Sequence, residues 1–180
     1  MSPARAGDRG TGPEGRQHAS RRPIERGASR NETLRQGGFG SEMKDLSDRL
    51  FDAYNNHDAP AVARLYQADA LHEDIAQGRP RRGPEAIADG LRKFLEWFPD
   101  AKWEAHVRFA DQPNGCAVTY RLSATLQKPM GSFAAHGQRI SLRGVLVLEL
   151  SDRLISRSTD YWDGATLQRQ LNTIDREETK

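Results

Sequence analysis

Two aspartates lie three residues apart near the end of the sequence, in the segment RSTDYWDGATLQRQL (157–171). Asp160 ends a run of strand-like alternation, and Asp163 precedes a run of helical spacing. A carboxylate directly before a helix commonly accepts hydrogen bonds from the first backbone N–H groups, which lack partners within the helix. One of the two is therefore expected to be a cap, and the pair alone does not decide which is free for proton transfer.

The sequence offers no pattern for metal, phosphate or covalent chemistry. His106 and His136 belong to no recognised ligand spacing such as H-E-x-x-H, so no metal is predicted. No G-x-S-x-G motif is present, and Cys116 has no evident partner for nucleophilic catalysis. Because no glycine-rich phosphate loop follows a strand, no cofactor is predicted.

Composition indicates one domain in a reducing compartment. The 180 residues suffice for one domain, or for one domain and a tail. The single cysteine cannot form an internal disulfide, and no apolar run approaches the ~20 residues needed to span a bilayer. The first residues lack the apolar stretch of a secretory signal, so the expected location is the cytoplasm.

The positive charge is concentrated at the beginning of the chain. Residues 1–42 carry eight arginines and five acidic residues, whereas the remainder is nearly balanced, which argues against a nucleic-acid-binding domain. Residues 1–40 also hold half of the 16 glycines and almost no aliphatic residues. We expect them to form a disordered Arg/Gly-rich tail. Two interpretations stay open, a solvated tail or an extension upstream of a start at Met43.

Hydrophobic spacing predicts helices first and strands after them. Residues 43–54 and 83–98 have apolar residues at helical spacing, and Asp58 is expected to cap a short helix between them. Alternation predicts strands at 69–78, 101–110, 115–127, 138–150 and 154–162, before a last helix at 163–171. This order predicts an α+β fold, with three N-terminal helices on one face of a curved, cone-shaped antiparallel sheet. The mouth of such a cone can admit a small molecule.

Four segments in this order carry a family resemblance: NNHDAPAVARLYQADALHED, RGPEAIADGLRKFLEWFPD, RISLRGVLVLELSDRLIS and DYWDGATLQRQL. The chain resembles the nuclear transport factor 2-like superfamily, whose fold is cystatin-like. Within it, the chain is similar to the SnoaL-like polyketide cyclases and the limonene-epoxide-hydrolase group. The resemblance covers residues 43–172, and the domain is expected to span residues 41–175.

The resemblance implies separate roles for the two aspartates. In the epoxide hydrolases the first aspartate of an Asp-Tyr-aromatic-Asp segment positions the reacting water, and Asp160 occupies that place. Asp163 matches the second aspartate, where a helix cap belongs. Those enzymes also place Arg and Asp two residues apart on an earlier strand, where this chain has Arg121 and Ser123. A serine hydroxyl is a poor proton donor, which argues against epoxide hydrolysis.

The resemblance also implies a histidine in the site. The first strand of the hydrolases supplies a Tyr and an Asn, and the matching positions here are His72 and Asp74. Alternation places both on one face of the strand. Histidine carries protons near neutral pH, and the neighbouring carboxylate could orient it and raise its pKa. The alternative is that His72 is a polar residue at the rim.

The predicted catalytic set is thus Asp160, Arg121, His72 and Asp74, with Ser123, Trp162 and Ser158 lining the substrate site. Strand parity turns Tyr120 away from Arg121, so Tyr120 is expected to lie outside the pocket. The alternative for Asp160 and Arg121 is an ordinary buried ion pair.

The predicted function is cofactor-independent acid/base chemistry of the cyclisation or isomerisation type. Asp160 would exchange the proton, polarised by Arg121 and assisted by His72. The resemblance implies a hydrophobic polyketide- or terpenoid-like ligand. No specific nucleic acid and no membrane are predicted as partners, and a homodimer is left open. An epoxide hydrolase and a non-catalytic small-molecule-binding module are the alternatives.

Overall fold

The computed structural model describes residues 44–112 and 114–173. The expected tail at 1–40, Met43 and the outer ends of the predicted 41–175 domain lie outside these residues. Within them the predicted α+β fold is confirmed, with helices covering one face of a six-stranded sheet.

The helices begin where the sequence supplies caps and apolar stripes. In the described residues they are α1 at 44–55, α2 at Ala59–Ala63, α3 at Pro84–Trp97 and α4 at Gly164–Asn172. The predicted cap of α2 is confirmed, since Asp58 Oδ1 accepts a hydrogen bond from the Ala61 N–H at 2.8 Å. Helix α3 buries Ile87, Ala88 and Leu91 on its inner side. Burial of this apolar stripe holds α3 against the rest of the core.

The strands form one sheet in the order β2-β1-β6-β5-β4-β3. Their bounds are β1 Tyr66–Asp74, β2 Arg81–Arg82, β3 Lys102–Gln112, β4 Gly115–Thr125, β5 Arg139–Ser151 and β6 Leu154–Trp162. The β1–β6 pair is parallel and the other pairs are antiparallel. The parallel pair brings the first predicted strand beside the last one, although they are far apart in sequence.

One face of the sheet is the floor of the core. Along β4 every second residue is buried, and the residues between them are exposed or half-buried. The buried set is Cys116, Val118, Tyr120, Leu122 and Ala124. The inner residues of β5, from Ile140 to Leu148, continue the same floor. Helices α1 to α3 close over this face and leave a space between helices and sheet.

Three details of the sheet differ from the sequence-based expectation. Strand β1 spans Tyr66–Asp74 rather than 69–78, and the two-residue strand β2 was not predicted. The sheet is antiparallel, as predicted, except at the β1–β6 pair. Periodicity identifies strands, but it carries no information about which strand lies beside which. Pairing depends on contacts that are distant in sequence.

Candidate active site

A cavity of about 130 Å³ lies between the inner face of the sheet and the helices that cover it. Most of its wall is apolar. The aromatic side chains in the wall are Tyr54, Phe94, Trp97, Phe98, Trp103, Tyr120 and Trp162. Polar groups enter from the edge formed by β1, β2 and β6, where His72, Asp74, Arg81 and Asp160 line the space. A largely apolar cavity with a few convergent polar groups is the usual form of a small-molecule site.

Asp160 is the carboxyl group at the centre of the polar edge. It lies near the end of β6, and Leu146 of β5 is its neighbour across the sheet. The pKa of Asp160 is raised to about 7. Burial is the main cause and the nearby Asp74 carboxylate adds to it, whereas hydrogen bonds from Tyr120 and the Tyr161 backbone oppose the shift. At neutral pH the group is therefore present in both protonated and ionised forms, as a group that donates and accepts protons must be.

Tyr120 holds Asp160 from the opposite side of β5. Its hydroxyl donates a hydrogen bond of 2.7 Å to Asp160 Oδ1. The tyrosine pairs with Gly144 across the β4–β5 ladder, and a Cβ atom on Gly144 would lie 2.4 Å from the Tyr120 hydroxyl oxygen. Only glycine leaves room for the phenol ring to cross β5 at this point. Burial and the Asp160 charge raise the pKa of Tyr120, so its hydroxyl stays protonated.

Asp74 is a second carboxyl group beside Asp160. The two residues are direct partners in the parallel β1–β6 register, and the Ile75 N–H donates to the Asp160 carbonyl oxygen at 3.0 Å. Burial raises the pKa of Asp74, while the Gln77 N–H, which donates to Oδ1 at 3.2 Å, and other polar neighbours oppose the shift. Two carboxyl groups this close disfavour double ionisation, so the pair favours retaining a proton.

His72 lies two residues before Asp74 on the same face of β1. Its Nδ1 atom lies 2.8 Å from Ser158 Oγ, and Ser158 Oγ lies 2.9 Å from the hydroxyl of Tyr66. Burial, with a smaller contribution from the Arg81 guanidinium, lowers the pKa of His72 to about 4. The imidazole is therefore neutral at pH 7. The expectation that Asp74 orients His72 and raises its pKa is wrong, because Ser158 holds the ring and the pKa is lowered.

Arg81 is the cation of the cavity. It lies on β2, opposite His72 across the antiparallel β1–β2 pair, and lines the space. Gly90 of α3 makes room for it, since a Cβ at residue 90 would lie 2.5 Å from Arg81 Nε. Its positive charge opposes the upward pKa shift of Asp74. It can also attract a negatively charged or carbonyl oxygen of a ligand.

Arg121 and Ser123 lie outside the cavity, contrary to their predicted placement. Both side chains are exposed on the outer face of β4, where Arg121 Nη1 donates to Ser141 Oγ at 3.0 Å. Neither the predicted Asp160–Arg121 contact nor the alternative buried ion pair is formed. The predicted parity was correct, since Tyr120 and Arg121 do point to opposite faces. The prediction exchanged the inner and outer faces of β4, because it chose the inner face by matching Arg121 and Ser123 to the Arg and Asp of the epoxide hydrolases.

The other predicted residues do gather at one place. Asp160, Asp74, His72 and Trp162 line the cavity, and Ser158 lies behind His72, where it is fully buried. Their catalytic and binding roles stay predictions.

Tyr120, Arg81 and Tyr66 were missed by the sequence reasoning. For Tyr120 a signal existed, because it shares its strand face with Cys116, Val118 and other apolar residues. No such signal existed for Arg81 and Tyr66, because each is brought to the site by the pairing of its strand with a neighbouring strand.

Asp163 is the predicted cap of the last helix. Its Oδ1 atom accepts a hydrogen bond from the Ala165 N–H at 2.9 Å, at the start of α4. The hydroxyl of Thr166 and the Arg169 guanidinium lower the pKa of this exposed carboxyl group, with the hydroxyl as the main cause. The predicted role of Asp163 as a helix cap is therefore confirmed, whereas the role of Asp160 stays a prediction.

In the described part of the chain, no three His, Cys, Asp or Glu side chains are grouped as metal ligands would be. No helix among residues 44–112 and 114–173 has the length and apolar character needed to cross a bilayer.

Comparison of the sequence with family models gives one match. A model described as SnoaL-like polyketide cyclase matches residues 44–171, which includes every residue of the cavity. No curated protein matches the sequence.

Solved structures with the same fold come from several bacteria. A proposed SnoaL-like polyketide cyclase from Jannaschia sp. CCS1 superposes with a TM-score of 0.68 at 14% identity, covering 74% of this chain and 94% of the other. AclR, a proposed hydroxylase from Streptomyces galilaeus, gives 0.65 at 21% identity, with 74% and 87% covered. An LEH-like epoxide hydrolase from M. tuberculosis gives 0.59 at 18% identity, with 73% and 90% covered. At these identities the likeness concerns the fold alone.

Proposed function

The chain belongs to the SnoaL-like polyketide cyclase family, and we propose that it is a cofactor-independent enzyme that transfers protons in a cyclisation or isomerisation. Its substrate is a hydrophobic, polyketide- or terpenoid-like small molecule that carries a carbonyl group. Asp160 is the residue that takes and returns the proton.

The observation that carries this proposal is the state of Asp160. The carboxyl group lines an apolar cavity, its pKa is raised to about 7, and the Tyr120 hydroxyl donates a hydrogen bond to it. A carboxylate with an ordinary pKa near 4 is a weak base towards a carbon acid. Raising the pKa by desolvation makes the carboxylate a stronger base while a useful fraction stays ionised at neutral pH.

The cavity wall supports the substrate class. Aromatic and aliphatic side chains surround the polar edge, so a ligand is bound mainly by burial of its apolar surface. The polar groups are confined to one side, where they can orient one oxygenated end of the ligand.

The reaction proceeds through an enolate. The Asp160 carboxylate removes a proton from a carbon next to the carbonyl group, and the C–H electron pair moves into the carbon framework as the carbonyl π pair moves onto oxygen. In an isomerisation Asp160 returns the proton to another carbon. In a cyclisation the enolate carbon attacks a second carbonyl group, and the new alkoxide takes the proton. Arg81 stabilises the negative charge that develops on oxygen.

A simple ketone tests the proton transfer without knowledge of the natural substrate. In D₂O, exchange of the α-protons of 2-tetralone, a hydrophobic bicyclic ketone, is followed by NMR. We expect the wild-type protein to accelerate this exchange and Asp160→Asn to lose about 10²–10⁴-fold of the acceleration, as is typical of a lost general base.

Asp163→Asn is the matched control. It makes the same chemical change three residues away, and asparagine still caps a helix, so exchange should stay at the wild-type rate. If Asp160→Asn exchanges protons as fast as wild type, the proposed function is wrong. If the wild-type protein and Asp163→Asn both bind 2-tetralone but neither accelerates exchange, the non-catalytic binding module becomes the better description.

Epoxide hydrolysis is the second candidate, and the pairing of Asp74 with Asp160 favours it. One carboxyl group could protonate the epoxide oxygen while the other activates water, because the pKa of each is raised. Ser123 no longer argues against it, since Ser123 lies outside the cavity. Limonene oxide in ¹⁸O-labelled water distinguishes the two functions. If the wild-type protein forms a labelled diol and both Asp160→Asn and Asp74→Asn lose this activity, the protein is an epoxide hydrolase.

A further inference from the structure

A buried chain of hydroxyl groups ends at the imidazole ring of His72. Ser158 Oγ lies 2.8 Å from His72 Nδ1 and 2.9 Å from the hydroxyl of Tyr66. Ser158 is 0% exposed and Tyr66 is 3% exposed, so bulk water does not compete for these hydrogen bonds. The three groups lie on the neighbouring strands β1 and β6, and His72 is the direct register partner of Ser158.

The direction of the hydrogen bonds follows from the acidity of the groups. A phenol is a better donor and a poorer acceptor than an aliphatic hydroxyl, and an unprotonated imidazole nitrogen is the strongest acceptor of the three. Tyr66 therefore donates to Ser158, and Ser158 uses its one proton to donate to His72 Nδ1. A neutral imidazole carries a single N–H, which is then on Nε2.

The second ring nitrogen of His72, Nε2, stays accessible in a residue that lines the cavity. No hydrogen-bond partner of Nε2 is found in the described part of the chain, whereas every fully buried side-chain nitrogen or oxygen there has one. Nε2 is thus not fully buried, and His72 lines the cavity. Charged and titratable groups around the ring are Arg81 on β2, Asp74 on β1 and Asp160 on β6. Burial and Arg81 keep the imidazole neutral at pH 7.

We propose that Ser158 and Tyr66 are positioning residues that hold His72 as the Nε2–H tautomer, and that this N–H donates a hydrogen bond to the substrate carbonyl oxygen. The proposal rests on the proposed function and assigns a group that stabilises the carbonyl oxygen while the proton is removed. In the parallel register His72 lies opposite Ser158 and Asp74 opposite Asp160, so the donor and the base are two residues apart on adjacent strands.

A neutral imidazole suits this role because it keeps its proton. While Asp160 removes the α-proton, the carbonyl oxygen gains negative charge, and the hydrogen bond from Nε2–H strengthens as it does so. His72 neither gains nor loses a proton in the step. The enolate is consumed when its carbon takes the proton held by Asp160, or when its carbon attacks a second carbonyl group whose alkoxide then takes that proton. The first carbonyl group is restored in either case, and the hydrogen bond weakens again.

The tautomer is measurable in the full-length protein without any substrate. In protein labelled with ¹⁵N in histidine, two-bond ¹H–¹⁵N correlation spectra at pH 7 distinguish the two tautomers, and His72→Gln identifies the His72 signals by their loss. We expect a protonated Nε2 and an Nδ1 signal displaced by hydrogen bonding. A protonated Nδ1, or an imidazolium at pH 7, would overturn the proposal.

Two variants test the positioning residues, with Ser156→Ala as the matched control. Ser158→Ala should shift the Nδ1 signal towards that of an unbonded ring nitrogen, and Tyr66→Phe should shift it partly in the same direction. Ser156 is on the same strand, but its hydroxyl donates to the exposed Glu149 carbonyl oxygen at 3.1 Å, so Ser156→Ala should leave the signal unchanged. An unchanged Nδ1 signal in folded Ser158→Ala contradicts the proposal.

The exchange assay separates this proposal from the proposed function. With 2-tetralone, Ser158→Ala and His72→Gln should each lower the maximal exchange rate by about tenfold or more, because they weaken one hydrogen bond to a charged oxygen. The concentration of 2-tetralone needed for half-maximal rate should change little. A defect confined to Asp160→Asn would keep the proposed function and reject the role of His72. The NMR result for the free protein stands in either case.

Discussion

The hydroxyl of Tyr120 donates to Asp160 Oδ1 at 2.7 Å, although the two residues lie on strands that are not neighbours. Strand β5 separates β4 from β6, and the phenol ring crosses it above Gly144. Gly144 pairs with Tyr120 on one side and with Trp162 on the other. One missing side chain thus allows the contact that holds the central carboxyl group.

Gly144→Ala should break this contact. The added methyl group would overlap the Tyr120 ring and hydroxyl, so the tyrosine must move away from Asp160 or the strands must separate. We expect a loss of roughly 1–3 kcal/mol in the free energy of unfolding, typical of overpacking, and a strong loss of 2-tetralone exchange. Denaturant titration and the exchange assay measure the two effects.

Gly164→Ala is the control for that substitution. A Cβ atom at residue 164 would meet Ala76 at an ordinary 3.5 Å, and alanine favours the helix that begins there. Stability should be equal or slightly higher. If Gly144→Ala behaves in the same way as Gly164→Ala, Tyr120 does not depend on the gap above β5.

Tyr120→Phe should move the pH dependence of exchange to higher pH. The hydrogen bond from Tyr120 lowers the pKa of Asp160, so its removal raises the pKa further above about 7. The ionised form that acts as base then appears only at higher pH. A pH–rate profile with 2-tetralone locates the midpoint. A midpoint that stays in place or falls would show that Tyr120 does not stabilise the Asp160 carboxylate.

Asp160→Asn should make the folded protein more stable at pH 8. Asp160 has a pKa of about 7 in the fold against an ordinary value of 3.8, so across this window the folded state binds a proton that the unfolded state has released. Wild-type stability therefore falls as pH rises from 3.8 to about 7, and asparagine avoids this loss. The gain should be roughly 2–4 kcal/mol at pH 8 and should vanish near pH 3.

Denaturant titrations at several pH values measure this gain. The amide can still accept the hydrogen bond from Tyr120, so the comparison isolates the charge. A variant that is less stable than wild type at pH 8 would show that the Asp160 carboxylate is well solvated or paired in the fold.

Replacement by leucine should affect 2-tetralone exchange at Arg81 but not at Arg121. Arg81→Leu should raise the pKa of His72, because the Arg81 charge lowers it, and should slow 2-tetralone exchange. Arg121→Leu should leave exchange unchanged, since the Arg121 side chain bonds to Ser141 on the outer face. NMR titration of His72 and the exchange assay provide the measurements.

Arg82→Leu is the neighbouring control. Arg82 is exposed and its Nη1 atom donates to the Asp69 carbonyl oxygen at 3.3 Å, outside the cavity. It should change neither the His72 pKa nor the exchange rate. Loss of exchange in Arg121→Leu would instead support the predicted catalytic role of Arg121.

Apolar spacing in the sequence determined the fold class and the approximate positions of most elements. The spacing of Ile87 and Leu91 predicted α3, and alternation predicted β4 and β6, because burial of one side of a helix or strand imposes these periods. Asp163 could be identified as a cap because capping is a local interaction within one turn. The gathering of His72, Asp74 and Asp160 was predicted through the family resemblance of their segments.

Tertiary structure decided what each of these residues touches. Local spacing fixed the parity of β4, and the apolar residues on the face of Tyr120 indicated that this face is the buried one. Arg121 was placed inside and Tyr120 outside because the match to the epoxide hydrolases was followed instead. The hydrogen bonds of His72 to Ser158 and of Tyr120 to Asp160 join residues 86 and 40 positions apart, respectively. Such contacts exist only after the parallel β1–β6 pair forms and a glycine opens a path across β5. A pKa set by burial follows from that assembly, because desolvation depends on every element that surrounds the group.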